Sequence, residues 1–161
     1  MKALAEKFGD NPDLWGLTGL LHDLDMDQID VDDPKDHGKI TIQILEKEFG
    51  NDLPKEMSHA IQAHCENLGH TDIKRESKLD YALAAAENLS GFLVACALVM
   101  PDKKLASVKP NSVLKKLKKK DFARKVNRDF IYDIDKTNLS LEEFVEIALK
   151  AVNEISDEIG L

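Results

Sequence analysis

Apolar side chains recur along most of this chain at spacings of three and four residues, the period of an α-helix with one buried face. The pattern predicts helices over about 12–22, 35–49, 54–67 and 78–100, an amphipathic segment over 111–125, and a final helix from 140 to about 155. Residues 1–8 predict one or two helical turns, the remnant of a longer first helix. No segment alternates like a half-buried strand, so the sequence predicts an all-α protein.

Capping signals support two of these helices. Asp10 or Asn11 is a suitable N-cap for the helix that opens with Pro12. Ser140 and Glu143 form a capping box before the apolar run of the final helix. The pattern and its signals together predict a bundle of about six to seven helices.

Composition supports a single helical domain. The chain has 161 residues, 43% of them apolar, with only 8 glycines and 5 prolines. This length and apolar content suit one domain spanning residues 1–161. The formal net charge of −8 disfavours nucleic acid as a partner. The lysine-rich stretch 115–125 keeps that alternative open, ranked last, because its lysines fit a solvated helix face.

Cysteine usage and hydropathy favour a cytoplasmic protein. Cys65 and Cys96 are isolated within helical segments, which is typical of free thiols rather than a disulfide framework. The opening MKALAEKFGD lacks the uncharged apolar core of a secretory signal. The most apolar run, residues 92–100, has nine apolar residues, too few to cross a bilayer. We therefore expect no membrane partner, and self-association stays open.

Three of the five histidines stand where an imidazole would be partly buried. His22 ends a predicted helix and is followed directly by Asp23. His37 opens the next helix, and His64 lies on the inward face of the one after it. A partly buried imidazole needs a hydrogen bond, a carboxylate or a metal ion as its partner. His59 and His70 are predicted to be exposed and without a function.

One acid, Glu87, stands alone in the apolar central helix, within AAAENLSGFLVA. A buried carboxylate is costly without a partner, which an ion pair or a metal ion would supply. Each of the three histidines, taken singly, is more often a core or cap residue than a ligand. Together with the two acids, His22, His37 and His64 predict one metal site, because imidazole and carboxylate are common protein ligands of transition metals.

The acidic loop after His22, DLDMDQIDVDDP, shares one feature with calcium-binding loops. Its first three acids, Asp23, Asp25 and Asp27, have the alternating spacing of calcium ligands. Gln28 replaces the required glycine and Pro34 the final glutamate, so the calcium interpretation fails. The remaining acids of the loop fit a solvated surface.

The chain resembles the HD-domain superfamily, and most closely its small stand-alone predicted metal-dependent phosphohydrolases. The resemblance rests on four segments in order: GLTGLLHDLDMD, DHGKITIQIL, AIQAHCEN and LDYALAAAENLSGFLVACALVMPDKKLASVKPNSVLKKLKKKDFARKVNR. It covers nearly the whole chain. It implies an all-α bundle in which an upstream His, a His-Asp doublet and a downstream acid bind a divalent metal.

The resemblance maps this ligand set onto particular residues. The doublet is His22-Asp23, His37 and His64 match the intermediate histidines of members with a second metal, and Glu87 matches the last acid. The upstream His has no counterpart, and MKALAEKFGD resembles the end of the helix that would carry it. Glu87 also stands where the family has Asp, which moves the carboxylate by about one C–C bond when productive geometry tolerates roughly 0.5 Å.

The activity that the resemblance implies is hydrolysis of a phosphate monoester, diester or nucleotide. Asp23 would be the catalytic residue, and the cofactor would be a divalent ion of Mn, Fe, Co, Ni, Mg or Zn. Lys39 and Lys103 are candidate phosphate contacts. The two departures from the family pattern keep a second interpretation open: a metal-free HD fold that has lost catalysis and acts as a binding or regulatory module.

Overall fold

The structure, a computed structural model, describes residues 1–30, 35–66 and 72–161. These residues form eight α-helices and three short 3₁₀ turns, with no strand among them. The all-α prediction is therefore confirmed, and the helix count is higher than the predicted six to seven. The helices are α1 (Lys2–Phe8), α2 (Pro12–Leu21), α3 (Lys39–Phe49), α4 (Lys55–Ala63), α5 (Lys78–Leu98), α6 (Pro110–Leu117), α7 (Arg128–Tyr132) and α8 (Leu141–Glu154).

The chain divides into two compact units, Met1–Ala84 and Ala85–Leu161, with the boundary inside α5. In the first unit α2 packs against α1 and α4, and α3 packs against α4. Its core consists of apolar side chains from α3 and α4 with partly buried leucines around them. These are Ile42, Leu45, Met57 and Ile61, with Leu14, Leu21 and Leu53 against them. Full burial of such a side chain stabilises the fold by about 1.5–3 kcal/mol. The single domain stays a prediction.

Two helices of the first unit are shorter than predicted. α3 begins at Lys39 rather than at 35, because Gly38 has φ +78°, outside the helical region. A Cβ at Gly38 would lie 3.2 Å from the backbone oxygen of Ile61, so this residue also lets the start of α3 approach the end of α4. α4 ends at Ala63 with His64 as its C-cap, short of the predicted 67. Both ends matter because they position the histidines.

In the second unit α8 packs against α6, and Ser140 caps α8 as predicted, accepting the N–H of Glu143. The predicted helix over 111–125 is correct only as far as Leu117. Beyond it the Arg128 guanidinium donates to backbone carbonyls at five positions: Leu117, Lys119, Phe122, Ala123 and Val126. These bonds hold the lysine-rich stretch in turns, and the short α7 that follows was not predicted.

α5 is the longest helix of the described residues, with 21 residues. By length and composition alone it is the one described helix that passes the test for a membrane span, and half of its most apolar window is buried inside the protein. A core helix of a globular protein passes the same test, so this is weak evidence for a membrane segment.

Candidate metal centre

Two of the predicted histidines cap the ends of helices in the same way. His22 is the C-cap of α2, and its Nδ1 lies 2.9 Å from the carbonyl oxygen of Gly19. His64 is the C-cap of α4, and its Nδ1 bonds the carbonyl oxygen of Ile61, again three residues back. The last carbonyls of a helix lack intrahelical donors, so a histidine there satisfies one of them. A carbonyl only accepts, so Nδ1 carries the proton in both rings, and in the neutral ring Nε2 keeps a free lone pair.

The third histidine is oriented by a buried carboxylate, Asp25. Its Oδ1 lies 2.8 Å from His37 Nδ1, while its Oδ2 accepts the N–H groups of Gly38 (2.6 Å) and Thr41 (3.3 Å) at the start of α3. Burial raises the pKa of Asp25, but the bond and charge of His37 and the two N–H groups outweigh it and lower the pKa below its ordinary value. A carboxylate in this state accepts the His37 Nδ1–H, so that in the neutral form of the His37 ring the Nε2 lone pair is free as well.

The three imidazoles converge on Asp23. Its Oδ2 lies 3.2 Å from His22 Nε2, and its Oδ1 lies 3.4 Å from His37 Nε2 and 3.8 Å from His64 Nε2. The Nε2 atoms of His37 and His64 are 3.1 Å apart. His22 Nε2 is buried and makes no hydrogen bond to any described residue. We call these four residues the histidine–aspartate cluster.

The cluster has the donor set of a cation site. Each Nδ1–H is used by an outer oxygen, so in the neutral form of the three rings the Nε2 lone pairs face one another and the Asp23 carboxylate. A proton is a poor occupant of His64, because burial, and then the charge that His22 carries when it is protonated, lowers the pKa of His64 to about 3. Imidazole and carboxylate are ligands that suit divalent transition metals. The residues therefore fit a metal ion.

The described residues provide two overlapping sets of ligand atoms, each within 4.8 Å of one another. One set is His22, Asp23 and His64; the other is His37, His64 and Cys65. His64 is common to both. Asp23 is the most exposed member of the cluster, with a side chain 41% exposed against 15%, 12% and 2% for His22, His37 and His64.

The structure thus brings together four of the predicted site residues, and their roles as ligands stay predictions. The fifth, Glu87, was expected to be buried, and that expectation is wrong: its side chain is exposed on α5. Its hydrophobic neighbours in the sequence lie on the other faces of the helix, so the surrounding apolar run does not bury it. Glu87 belongs to the second unit and to neither ligand set. Its place as the last acid stays a prediction.

The candidate phosphate contacts are both surface residues. Lys39 lies at the start of α3, half-exposed, with its Nζ 4.0 Å from Asp36. Lys103 is exposed after α5. Their roles stay predictions. Four residues considered in the sequence lie outside the described residues: Asp32, Asp33, Pro34 and His70.

Sequence reasoning missed the two residues that support the cluster, Asp25 and Cys65. In the sequence Asp25 has only the spacing of a calcium ligand, and its acidic neighbours give no sign of its burial. Sequence reasoning also missed Asp80, which is fully buried. The Asp80 Oδ2 lies 3.1 Å from His59 Nδ1 and accepts the N–H groups of Glu76 and Ser77, just before α5. The prediction for His59 is thereby corrected: the side chain is only 37% exposed and pairs with a buried acid.

The described residues are all-helical, and a cluster of typical metal ligands lies at the ends of their helices. These two features define the class of protein: a helical protein with a candidate metal site. A family model described as HD domain matches residues 1–95, more than half of the chain. The chain therefore belongs to the HD-domain family, which confirms the resemblance. Comparison with curated proteins and with solved structures gave no significant match.

The supporting role of Asp25 leads to the first prediction. In Asp25→Asn the amide NH₂ faces groups that are all donors, so His37 loses its fixed orientation. We expect metal affinity to fall about 10- to 100-fold, the usual cost of removing a partner of a metal-bound histidine. The free energy of unfolding should fall by about 1–3 kcal/mol. Competition with a chromophoric chelator measures the first and urea unfolding the second. Asp27→Asn, in the same loop but exposed, is the matched control. Equal affinities in all three proteins would contradict the role.

Proposed function

We propose that this chain is a divalent-metal-dependent phosphohydrolase, acting on a phosphate monoester, diester or nucleotide. The observation that carries the proposal is the set of three imidazoles that are held through Nδ1 and turn Nε2 toward the Asp23 carboxylate. In their neutral form these rings, together with the carboxylate, make a donor set suited to a cation. Membership of the HD-domain family supports the same activity, since metal-dependent phosphohydrolases are typical of that superfamily.

The residues divide the work by exposure. The rings of His22, His37 and His64 are each held from behind through Nδ1, which fixes their orientation and suits them to act as ligands. Asp23 reaches solvent and carries the charge, so it is the group placed to accept a hydrogen bond from a water molecule beside the substrate. A divalent ion at this centre would polarise a phosphoryl oxygen and lower the pKa of a bound water molecule toward neutrality.

One observation favours a second candidate, a binding or regulatory module without catalysis. Glu87, the counterpart of the last acid of the family pattern, has an exposed side chain and belongs to neither ligand set. A centre with a single carboxylate neutralises less of the charge of a divalent ion, and so binds and activates it less well.

Metal analysis and a substrate panel test the proposal together. Purified chain reconstituted with Mn²⁺, Co²⁺ or Ni²⁺ and then desalted should retain about one equivalent of metal or more. It should hydrolyse at least one of a monoester, a diester and a set of nucleotides, and chelator-treated protein should not. Retained metal without turnover on any ester favours the second candidate. Protein that stays metal-free under replete conditions contradicts the hydrolase.

A further inference from the structure

Cys65 is a buried thiol that the proposed hydrolase does not use. It follows His64 directly at the end of α4, and its side chain has no exposed surface. Its Sγ lies 3.4 Å from His64 Nε2 and 3.9 Å from the carbonyl oxygen of His37. The thiol therefore lies against the ring of His64, with both ring nitrogens within 3.7 Å of Sγ, and beside the backbone of His37.

The backbone beside the Cys65 thiol has a glycine, Gly38, at its nearest point on α3. Gly38 has no side chain, and a Cβ there would lie 3.5 Å from Cys65 Sγ and 3.2 Å from the Ile61 oxygen. Its φ of +78° is a conformation that residues with a side chain rarely adopt. The 3.5 Å distance is an ordinary contact, so Sγ lies directly beside the start of α3, where Gly38 follows His37. The ligand atoms of His37, His64 and Cys65 all lie within 4.8 Å of one another.

We propose that Cys65, His37 and His64 form a soft metal position that takes a thiophilic divalent ion such as Zn²⁺ or Co²⁺. Binding forms a metal–sulfur bond and breaks the S–H bond of Cys65, and the proton leaves to solvent. Thiolate ligands select Zn and other soft ions, whereas a carboxylate ligand suits Mg and Mn. The inference rests on the proposed function, because it assumes that the cluster binds metal.

Sharing of His64 makes the two ligand sets compete. Its Nδ1–H is taken by the Ile61 carbonyl, so only the Nε2 lone pair is available, and one lone pair serves one ion at a time. An ion bonded to Cys65 therefore withdraws His64 from the set of His22 and Asp23. The structure thus assigns the cluster a choice of metal: sulfur-preferring ions on one side and oxygen-preferring ions on the other.

Cobalt absorption tests the sulfur ligand without reference to turnover. The chain has two cysteines, so Cys96→Ser leaves Cys65 as its one thiol. Cys96 is buried, and burial raises its pKa to about 11, so it remains protonated. Titration of chelator-treated protein with Co²⁺ should give visible ligand-field bands and a near-ultraviolet sulfur-to-cobalt band. We expect both in wild type and in Cys96→Ser, and only the visible bands in Cys65→Ser.

The outcomes separate this inference from the proposed function. Visible bands without the near-ultraviolet band in Cys96→Ser overturn the Cys65 ligand and leave the metal centre standing. A near-ultraviolet band that persists in Cys65→Ser also overturns it. Absence of all cobalt bands overturns the metal centre and the inference with it. Cys96→Ser decides the question even if Cys65→Ser fails to fold, because its band has one possible source.

Discussion

Asp23→Ala should reduce phosphate-ester hydrolysis to background while leaving the metal-free fold intact. Asp23 supplies the one formal negative charge within the histidine–aspartate cluster, and both its oxygens face imidazole nitrogens at 3.2–3.8 Å. A divalent ion held by neutral rings alone would be poorly neutralised in a partly buried site. We expect metal affinity to fall by more than the roughly 10- to 100-fold that an outer partner is worth.

The fold should tolerate this change because the Asp23 side chain is 41% exposed and the three rings are held from behind by other oxygens. The free energy of unfolding without metal should change by no more than about 0.5 kcal/mol, as at other surface positions. Asp27→Ala, exposed in the same loop, should retain both metal and turnover. Turnover by Asp23→Ala at the wild-type rate would remove Asp23 from the catalytic role.

The histidines were predictable because two physical requirements act on each of them at once. Taken singly, His22 is predicted at the end of a helix and His64 on the inward face of one, and in the structure each is a C-cap whose Nδ1 satisfies a carbonyl three residues back. Capping uses only one ring nitrogen, so the cap and the proposed ligand are the same residue. Sequence spacing indicates the end of α2 at His22 and the inward face of α4 at His64, but it does not show that α4 ends there.

The buried acids were not predictable from hydropathy. Glu87 stands in an apolar run and is exposed, whereas Asp25 stands in the acidic loop and Asp80 in the first turn of α5, and both are fully buried. The reason is backbone hydrogen bonding. Asp25 accepts two N–H groups at the start of α3 and Asp80 accepts those of Glu76 and Ser77 just before α5, so each carboxylate is buried with backbone donors beside a helix N-terminus. A hydropathy pattern records side chains and not these backbone donors.

The end of the predicted helix over 111–125 was wrong for a related reason. The lysine-rich segment has the helical period as far as residue 125. The Arg128 guanidinium, however, donates hydrogen bonds to backbone carbonyls between residues 117 and 126, which in a continued helix would accept backbone N–H groups instead. That competition depends on a residue beyond the segment, and on Phe92, over whose ring the guanidinium lies at 5.4 Å. Local periodicity cannot register a partner that comes from another helix.

Acidification should destabilise the metal-free protein through His64, beginning well above the range in which carboxylates titrate. Burial, and then the charge of His22, lowers the pKa of His64 from 6.5 to about 3, against the opposing effect of the Ile61 carbonyl. Between these two pKa values His64 therefore binds a proton in the unfolded chain but not in the folded one. The stabilisation is complete above about pH 6.5 and is lost progressively as the pH falls toward 3.

The expected loss between about pH 7 and about pH 5 is roughly 2 kcal/mol of the free energy of unfolding, since each pKa unit corresponds to about 1.4 kcal/mol. Urea unfolding at both pH values, in the presence of a chelator, measures it. His64→Gln cannot titrate there and should lose roughly 2 kcal/mol less than wild type over the same interval. Above about pH 7 the two proteins should show parallel pH dependence, since His64 is then neutral in both states.

A wild-type protein that gains stability on acidification would mean that His37 and His64 share a proton across their 3.1 Å contact. The histidine–aspartate cluster would then already bind a proton between two of its imidazoles, and its Nε2 atoms would not be available for a metal ion.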